Sequence, residues 1–262
     1  MAITITNILR YPVKGLSGEE LKRVALESGG ALPQDRRFAL AHGASKFNPS
    51  NPEWVPKTNF FMLAKDEKLA QLTISFDEES GALTIYRKGK QVSRGQITEA
   101  VGRTLIEQFL SSFLAGSGRG SPKVVEAPSG TLMDASDKVV SILNLESVKD
   151  LERVTRAPVD PRRFRANFWI EGAPAWPEFD WGGREISIRK VRLKVVEAIE
   201  RCAATNVNPD TAERDMNIPL TLRRGFDHIC MGVYAQVLSD GEIALGDRLE
   251  APTGDAARSL PL

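Results

Sequence analysis

The chain has 262 residues, with 35 lysines and arginines against 34 aspartates and glutamates, so no global charge excess draws it to nucleic acid or to an anionic membrane surface. Its two cysteines, Cys202 and Cys230, are too few for a disulfide framework, and no Cys-x-x-Cys or histidine-rich cluster points to zinc. With no signal-like start and no apolar run long enough to cross a bilayer, the sequence reads as a cytoplasmic protein in a reducing environment.

Residues 3–11 alternate as a strand, Pro12 and Gly15 turn the chain, and residues 21–26 form a second strand. The loop between them carries Lys14 in the run Tyr11-Pro12-Val13-Lys14. A turn at Pro33 places Arg36 and Arg37 at the mouth of a short strand beginning at Phe38, and a guanidinium fork there matches phosphate oxygens in two-point geometry. Residues 43–59 hold three prolines and read as loop. Strands are predicted at 69–76, 82–86 and 90–93, with Gly81 and Gly89 at the hairpin turns, a meander that favours a small barrel or sandwich. The first helix is predicted over 98–115, because Ile97, Val101, Leu105, Phe109 and Phe113 recur every four residues with Ile106 and Leu110 alongside. The glycine-rich segment 116–122 reads as a linker and marks a domain boundary. It is no phosphate loop, since no Gly-Lys-Ser/Thr closes it and it follows a helix.

Past the linker, strands are expected at 123–126 and 138–143. Asn144 then caps a helix whose Leu145, Val148, Leu151 and Val154 share a face, with Pro158 beyond its end. Arg162-Arg163-Phe164-Arg165-Ala166-Asn167 feeds an apolar strand; a basic run this short, without a basic excess, is not read as a nucleic-acid site. The tryptophans of 171–181 are expected to pack. Val191, Leu193 and Val195 alternate with charged residues, so a half-buried strand runs straight into Cys202, after which Asn208-Pro209-Asp210 turns the chain. A cation next in sequence, Arg201, favours the thiolate, which is both nucleophile and soft metal ligand. Residues 218–226 form a short helix, His228 reads as structural, and Cys230 opens an apolar strand as a core residue. Turns at Gly241 and at Gly246-Asp247 frame the last hairpin.

Tyr11 to Lys14, Asp35-Arg36, Arg163 to Asn167, Arg201-Cys202 with Thr205, Val207 and Pro209-Asp210-Thr211, and Gly232 to Leu238 together resemble the MOSC domain. The likeness is greatest to the branch containing the mitochondrial amidoxime-reducing component and its bacterial relatives. The resemblance implies a mainly β fold with some α: an N-terminal MOSC-associated β-barrel domain over 1–116, packed on a MOSC-type β-barrel with short flanking helices over 117–255, and a tail over 256–262. It also implies that Cys202 ligates molybdenum carried by a pterin dithiolene, the molybdenum cofactor (Mo-molybdopterin). Lys14, Arg36, Ser136, Arg165, Asn167, Arg201 and Thr205 would contact that cofactor. The implied reaction is reduction of a small N-hydroxylated substrate by oxygen-atom transfer. Electrons would come from a separate reductase or ferredoxin-type protein, because no cysteine set for an iron–sulfur cluster is present. Two other readings of the same residues stay open: a sulfur carrier holding a persulfide on Cys202, and a non-catalytic carrier or storage protein for the cofactor. The chain departs from the family pattern at Gly15, where relatives have a serine, at Ala166 in place of a proline, at Ala212 in place of a glycine, and at Lys57-Thr58, where relatives have a Thr/Gln-Arg pair.

Overall fold

The computed structural model describes residues 2–127, 130–252 and 260. β1 (Ile3–Arg10), β2 (Glu19–Leu21), β3 (Arg23–Leu26), β4 (Phe38–Ala41), β5 (Leu72–Asp77), β6 (Ala82–Arg87) and β7 (Lys90–Gln96) precede the helix α1 (Ala100–Phe113). β8 (Lys123–Glu126) and β9 (Val140–Asn144) lead into α2 (Leu145–Thr155). β10 (Phe168–Glu171), β11 (Glu185–Ile188) and β12 (Val191–Glu200) are followed by α3 (Ile218–Phe226), and then by β13 (Cys230–Val237), β14 (Gly241–Ala244) and β15 (Arg248–Glu250). The fold is mainly β with three helices, as the sequence predicts. β15 is an addition, its three residues being too few to show a period.

Seven strands form a closed barrel in the order β10-β9-β13-β12-β11-β15-β1, shut by antiparallel pairing of β1 with β10 that sets Ile5 against Ile170 and Ile8 against Phe168. Closure leaves these staves no free edge, and their inward side chains, among them Ile142, Leu193, Val195 and Val233, fill the interior. β9 and β10 are the parallel pair, which requires a crossover, and α2 supplies it. The Asn144 side chain caps α2, accepting from the Glu146 N–H at 3.1 Å.

A second core gathers β4, β8, the β5-β6-β7 sheet and α1 around Phe38, Leu40, Leu72, Leu83, Ile106 and Leu110. α1 lies where the apolar period places it but turns a different face inward. Its buried line is Gly102, Ile106 and Leu110, whereas Val101 is 76% and Leu105 49% exposed. A row spaced by four drifts about 40° per step around a helix of 3.6 residues per turn, so the Val101–Leu105 end of the expected row rolls out to solvent. Gly102 is needed on the inner face, since a Cβ there would come within 2.1 Å of the Gln96 carbonyl oxygen.

Packing does not follow chain order. β1 is a stave of the barrel otherwise built from residues beyond the linker, and β3 pairs with β14, Val24 opposite Ile243. The boundary at 116/117 stands as a proposal about order along the sequence; in space the two parts interlock. Of the tail expected at 256–262, all but Leu260 lies outside the described residues. The Leu260 N–H donates to the Phe179 carbonyl at 2.9 Å and its side chain joins the barrel core.

Candidate functional site

Two loops far apart in sequence are zipped together beside the barrel. Arg36 N–H donates to the Tyr11 carbonyl at 2.7 Å, Phe38 N–H to Pro12 at 3.0 Å and Lys14 N–H to Phe38 at 2.8 Å. The Tyr11 N–H is held by the Asp35 carboxylate at 2.8 Å. This brings Lys14 and Arg36 to the wall of one cavity of ≈ 290 Å³, which lies at the end of β12 and is also lined by Arg165, Arg201, Cys202 and Thr205. Gly15, at φ +87°, makes the turn after Lys14, and a Cβ would sit 3.1 Å from the Phe61 carbonyl oxygen. The departure from serine therefore follows from backbone geometry.

Cys202 is half-buried and starts a short 3-10 turn, Ala203–Asn206. The Thr205 N–H and hydroxyl both donate to the Cys202 carbonyl, at 3.1 and 2.9 Å, which fixes the cysteine backbone at the strand end. A register shift between Ala198 and Glu200 in the β12–β13 pairing comes immediately before it, and bulges of this kind re-aim the residues that follow.

Six cations and three carboxylates line the cavity. Arg165 donates to the Leu16 carbonyl at 2.7 Å, and Arg36 to the Arg165 carbonyl at 2.7 Å. Both guanidinium carbons lie 4.4 Å from the centroid of the Tyr11 ring. Arg36 and Arg165 also share left-handed backbones, at φ 49° and 53°, a strain that persists only where surroundings impose it. Arg201 donates to the carbonyls of Met231 and Phe164, the latter at 2.9 Å. Burial pulls both Arg165 and Arg201 down to about 10, Arg36 adding to the effect on Arg165, so both stay charged at neutral pH.

Sequence reasoning gave Lys57 only a weak match and passed over Asp134, and the structure places both in the cavity wall. Lys14 and Lys57 bind the two oxygens of the Asp134 carboxylate, Lys57 at 3.0 Å. Burial pushes that carboxyl up, but the two ammonium groups outweigh it and hold it at about 2. Burial likewise lowers Lys14, with Asp134 offsetting part of the loss. Burial lowers Lys57, but Asp134 and the nearby Cys202 side chain outweigh it and raise its pKa. Lys57 thus lines the cavity beside the thiol, while the guanidinium of the sequence neighbour Arg201 is engaged by carbonyls.

Two predicted contacts lie elsewhere. Ser136 is exposed and outside the cavity wall, which takes Asp134 and Ala135 from that segment. The Asn167 side chain is fully buried; it accepts from the Ser141 N–H and hydroxyl at 3.0 and 2.8 Å and donates to the Leu9 carbonyl at 3.1 Å. It ties β9 to β1 and is not in the wall of this cavity. Arg163, unassigned from sequence, does line the cavity while paired with Asp215 at 2.7 Å. His228 and Cys230 are structural, the imidazole accepting from the Cys230 N–H at 3.2 Å within a nest of Trp176, Phe179 and Phe226.

Among the described residues no group of three or more His, Cys, Asp or Glu is placed to hold a metal. The arrangement instead offers one sulfur inside a cationic enclosure, which suits an anionic ligand that brings most of a soft metal's coordination with it. Among the same residues no helix is long and apolar enough to cross a membrane.

Residues 2–117 match the MOSC N-terminal beta barrel domain and residues 129–250 the MOSC domain. The chain is 25% identical over 242 residues to a molybdenum cofactor sulfurase of Caenorhabditis elegans, covering 88% of this chain and 33% of that protein. It is 30% identical over 121 residues to mitochondrial amidoxime reducing component 2 of Bos taurus, covering 41% of this chain and 35% of the relative. The chain thus spans about a third of the length of the curated relatives it matches. A solved structure of the YUAD protein from Bacillus subtilis aligns at a TM-score of 0.45 and 12% identity, over 97% of this chain and 98% of that one.

Proposed function

Because this chain belongs to the MOSC-domain family, we propose that it binds a molybdenum cofactor and reduces small N-hydroxylated compounds at a metal ligated by Cys202. The observation that carries this reading is the half-buried Cys202 side chain opening on the same cavity as Lys14, Arg36, Lys57, Arg165 and Arg201. Relationship to molybdenum cofactor sulfurases and amidoxime reducing components supports a function associated with that cofactor.

Lys14, Arg36 and Arg165 would hold the anionic, phosphate-bearing end, and Arg201 and Lys57 would stand nearest the sulfur. When bound, the cofactor supplies two-electron oxygen-atom transfer. In the reaction the N–O bond breaks and the oxygen leaves as water, consuming two protons and two electrons that a separate donor protein delivers. The chain's own part is to fix the cysteine through Thr205, to neutralise the ligand's charge in a low-dielectric pocket, and to limit water there.

The test is protein made in a host that synthesises the cofactor. Near-equal molybdenum, pterin and chain, with reductase-dependent conversion of an amidoxime, is the expected result. A Cys202 persulfide with no metal would instead establish sulfur transfer, and bound cofactor that accepts no electrons would establish storage.

A further inference from the structure

Arg214 joins the turn after Cys202 to a segment 150 residues earlier in the chain. Its Nη1 donates to the Ala203 carbonyl at 3.1 Å. Its Nη2 reaches the carbonyls of Leu63 and Ala64 at 3.3 and 3.0 Å and the Glu67 carboxylate at 3.1 Å. A guanidinium presents its donors in a rigid fork, so one side chain that engages both segments sets the spacing between them. Each segment is itself firmly held. The Asp66 carboxylate accepts from the Met62 N–H at 3.0 Å and pairs with Arg119, and the Phe61 N–H donates to the Leu40 carbonyl at 2.8 Å. On the other side, the loop after the turn bends at Ala212, at φ 61°, and Val207 bridges Arg214 across its base. The next residue, Asp215, accepts from the Asn208 amide and from Arg163, both at 2.7 Å, and Arg163 donates to the Thr205 carbonyl at 3.3 Å. The turn is thus gripped at Thr205 by its own half of the chain and at Ala203 by an arginine anchored on the other half.

What the two segments enclose is space beside the sulfur. Met62, Leu63 and Ala64 line, together with Cys202 and Ala204, a space of ≈ 80 Å³. Arg214 is in the wall of neither this space nor the larger cavity. We infer that Arg214 is a positioning residue for Cys202: it latches the turn after the cysteine to segment 62–67, and so holds the sulfur at a fixed place relative to the wall that faces it. The inference rests on the reading of Cys202 as the reacting sulfur, but it needs no bound metal. The Arg214 side chain is 35% exposed, so its replacement empties no core, and the ion pair with Glu67 contributes little by itself. The effect lies in joining two segments that have no other reason to move together.

The experiment compares the full chain with Arg214→Met, which keeps the apolar stem and removes the fork, and Arg214→Lys, which keeps the charge as a single point donor. Amide hydrogen exchange reads local opening of each segment. In Arg214→Met the amides of 62–67 and 203–206 are expected to exchange together about tenfold faster, the loss of a hydrogen bond to a charged group, with Arg214→Lys in between. The second readout is fluorine NMR of cofactor-free chain tagged on Cys202 with bromotrifluoroacetone, Cys230 being only 2% exposed. The parent is expected to give one broad resonance and Arg214→Met a narrower, shifted one, since the tagged sulfur gains freedom. Unchanged exchange in both segments would overturn the inference. Faster exchange in 203–206 alone would also overturn it, because Arg214 would then brace only its own loop. Coupled exchange with an unaltered resonance would show the latch to be structural and not to position the sulfur. Both expected changes in a chain that takes up no molybdenum would uphold the latch and remove the reductase reading.

Discussion

The Lys57 ammonium pairs with Asp134 at 3.0 Å and lines the same cavity as the Cys202 side chain, so the candidate ligand's sulfur shares its pocket with a cation 145 positions earlier in the sequence. Charged groups around a metal ligand tune its basicity and its hold on the metal. Lys57→Met is expected to lower cofactor retention or turnover by about 10–100-fold, with Lys57→Arg recovering part of it. Molybdenum content per chain and kcat/KM are the measurements; a Lys57→Met protein equal to the parent in both would show the contact to be incidental.

Cys202→Ser and Asn167→Ala should fail in opposite ways. Cys202→Ser is expected to keep the parent's melting temperature and lose at least 100-fold in activity, since oxygen is a poor substitute for a soft ligand. Asn167→Ala removes hydrogen bonds to Ser141 and Leu9 in a fully buried position, and should cost about 2–4 kcal/mol of stability. The molybdenum content of the fraction that folds should be unchanged. Chemical denaturation and metal analysis on the two proteins decide this.

Asp134, held at about 2 by its two lysines, ionises more readily folded than unfolded. Its contribution to stability is therefore present above about pH 4, the unfolded carboxyl range, and lost as pH falls through about 2. The side chain is 44% exposed, so solvent screens the pair and the effect is modest. Asp134→Asn should flatten the acid limb of the stability–pH curve in that window and leave the neutral region nearly unchanged in slope.

Glu178 behaves in the reverse sense. It is fully buried, accepting from Ser147 Oγ at 2.7 Å and from the Asn144 amide at 3.1 Å, and burial raises its carboxyl from 4.5 to about 7. The folded chain keeps a proton that the unfolded chain releases, so stability from this group is full below pH 4.5, declines as pH rises to about 7, and is constant above. The span is on the order of 3 kcal/mol at about 1.4 kcal/mol per unit. Burial lowers His228, which tilts the curve the other way. The difference between parent and Glu178→Gln isolates the carboxyl, and equal slopes for the two between pH 5 and 7 would contradict it.

Strand and helix periods carried most of the fold in the sequence, because burial on one side of a strand or helix repeats locally. Closure of the barrel did not, since the pairing of Ile5 with Ile170 has no local mark. For the site, Lys14, Arg36, Arg165, Arg201, Cys202 and Thr205 were legible through motifs, and the structure gathers them on one wall. Lys57 was nearly hidden, as a lysine in a proline-rich loop looks solvated until its partners Asp134 and Cys202 are located. Asn167 and Ser136 fall outside this cavity wall for a related reason: the motif gives the residue type at a strand entrance but not the direction of the side chain. Ser136 ends up exposed, and Asn167 points into the protein to bind Ser141 and Leu9.

The pairing of Ile3 with Leu249 sets a constraint on how the polypeptide reaches its final form. β1 meets β2 about ten residues on, but its two neighbours in the barrel wall, β10 and β15, lie about 160 and 245 residues away, and such distant partners are slow to meet. Clipping off the first ten residues would split the wall lengthwise between β10 and β15 and bare two lines of unpaired amides. A fragment beginning after the glycine-rich linker would then be sticky and short-lived rather than a smaller version of the whole.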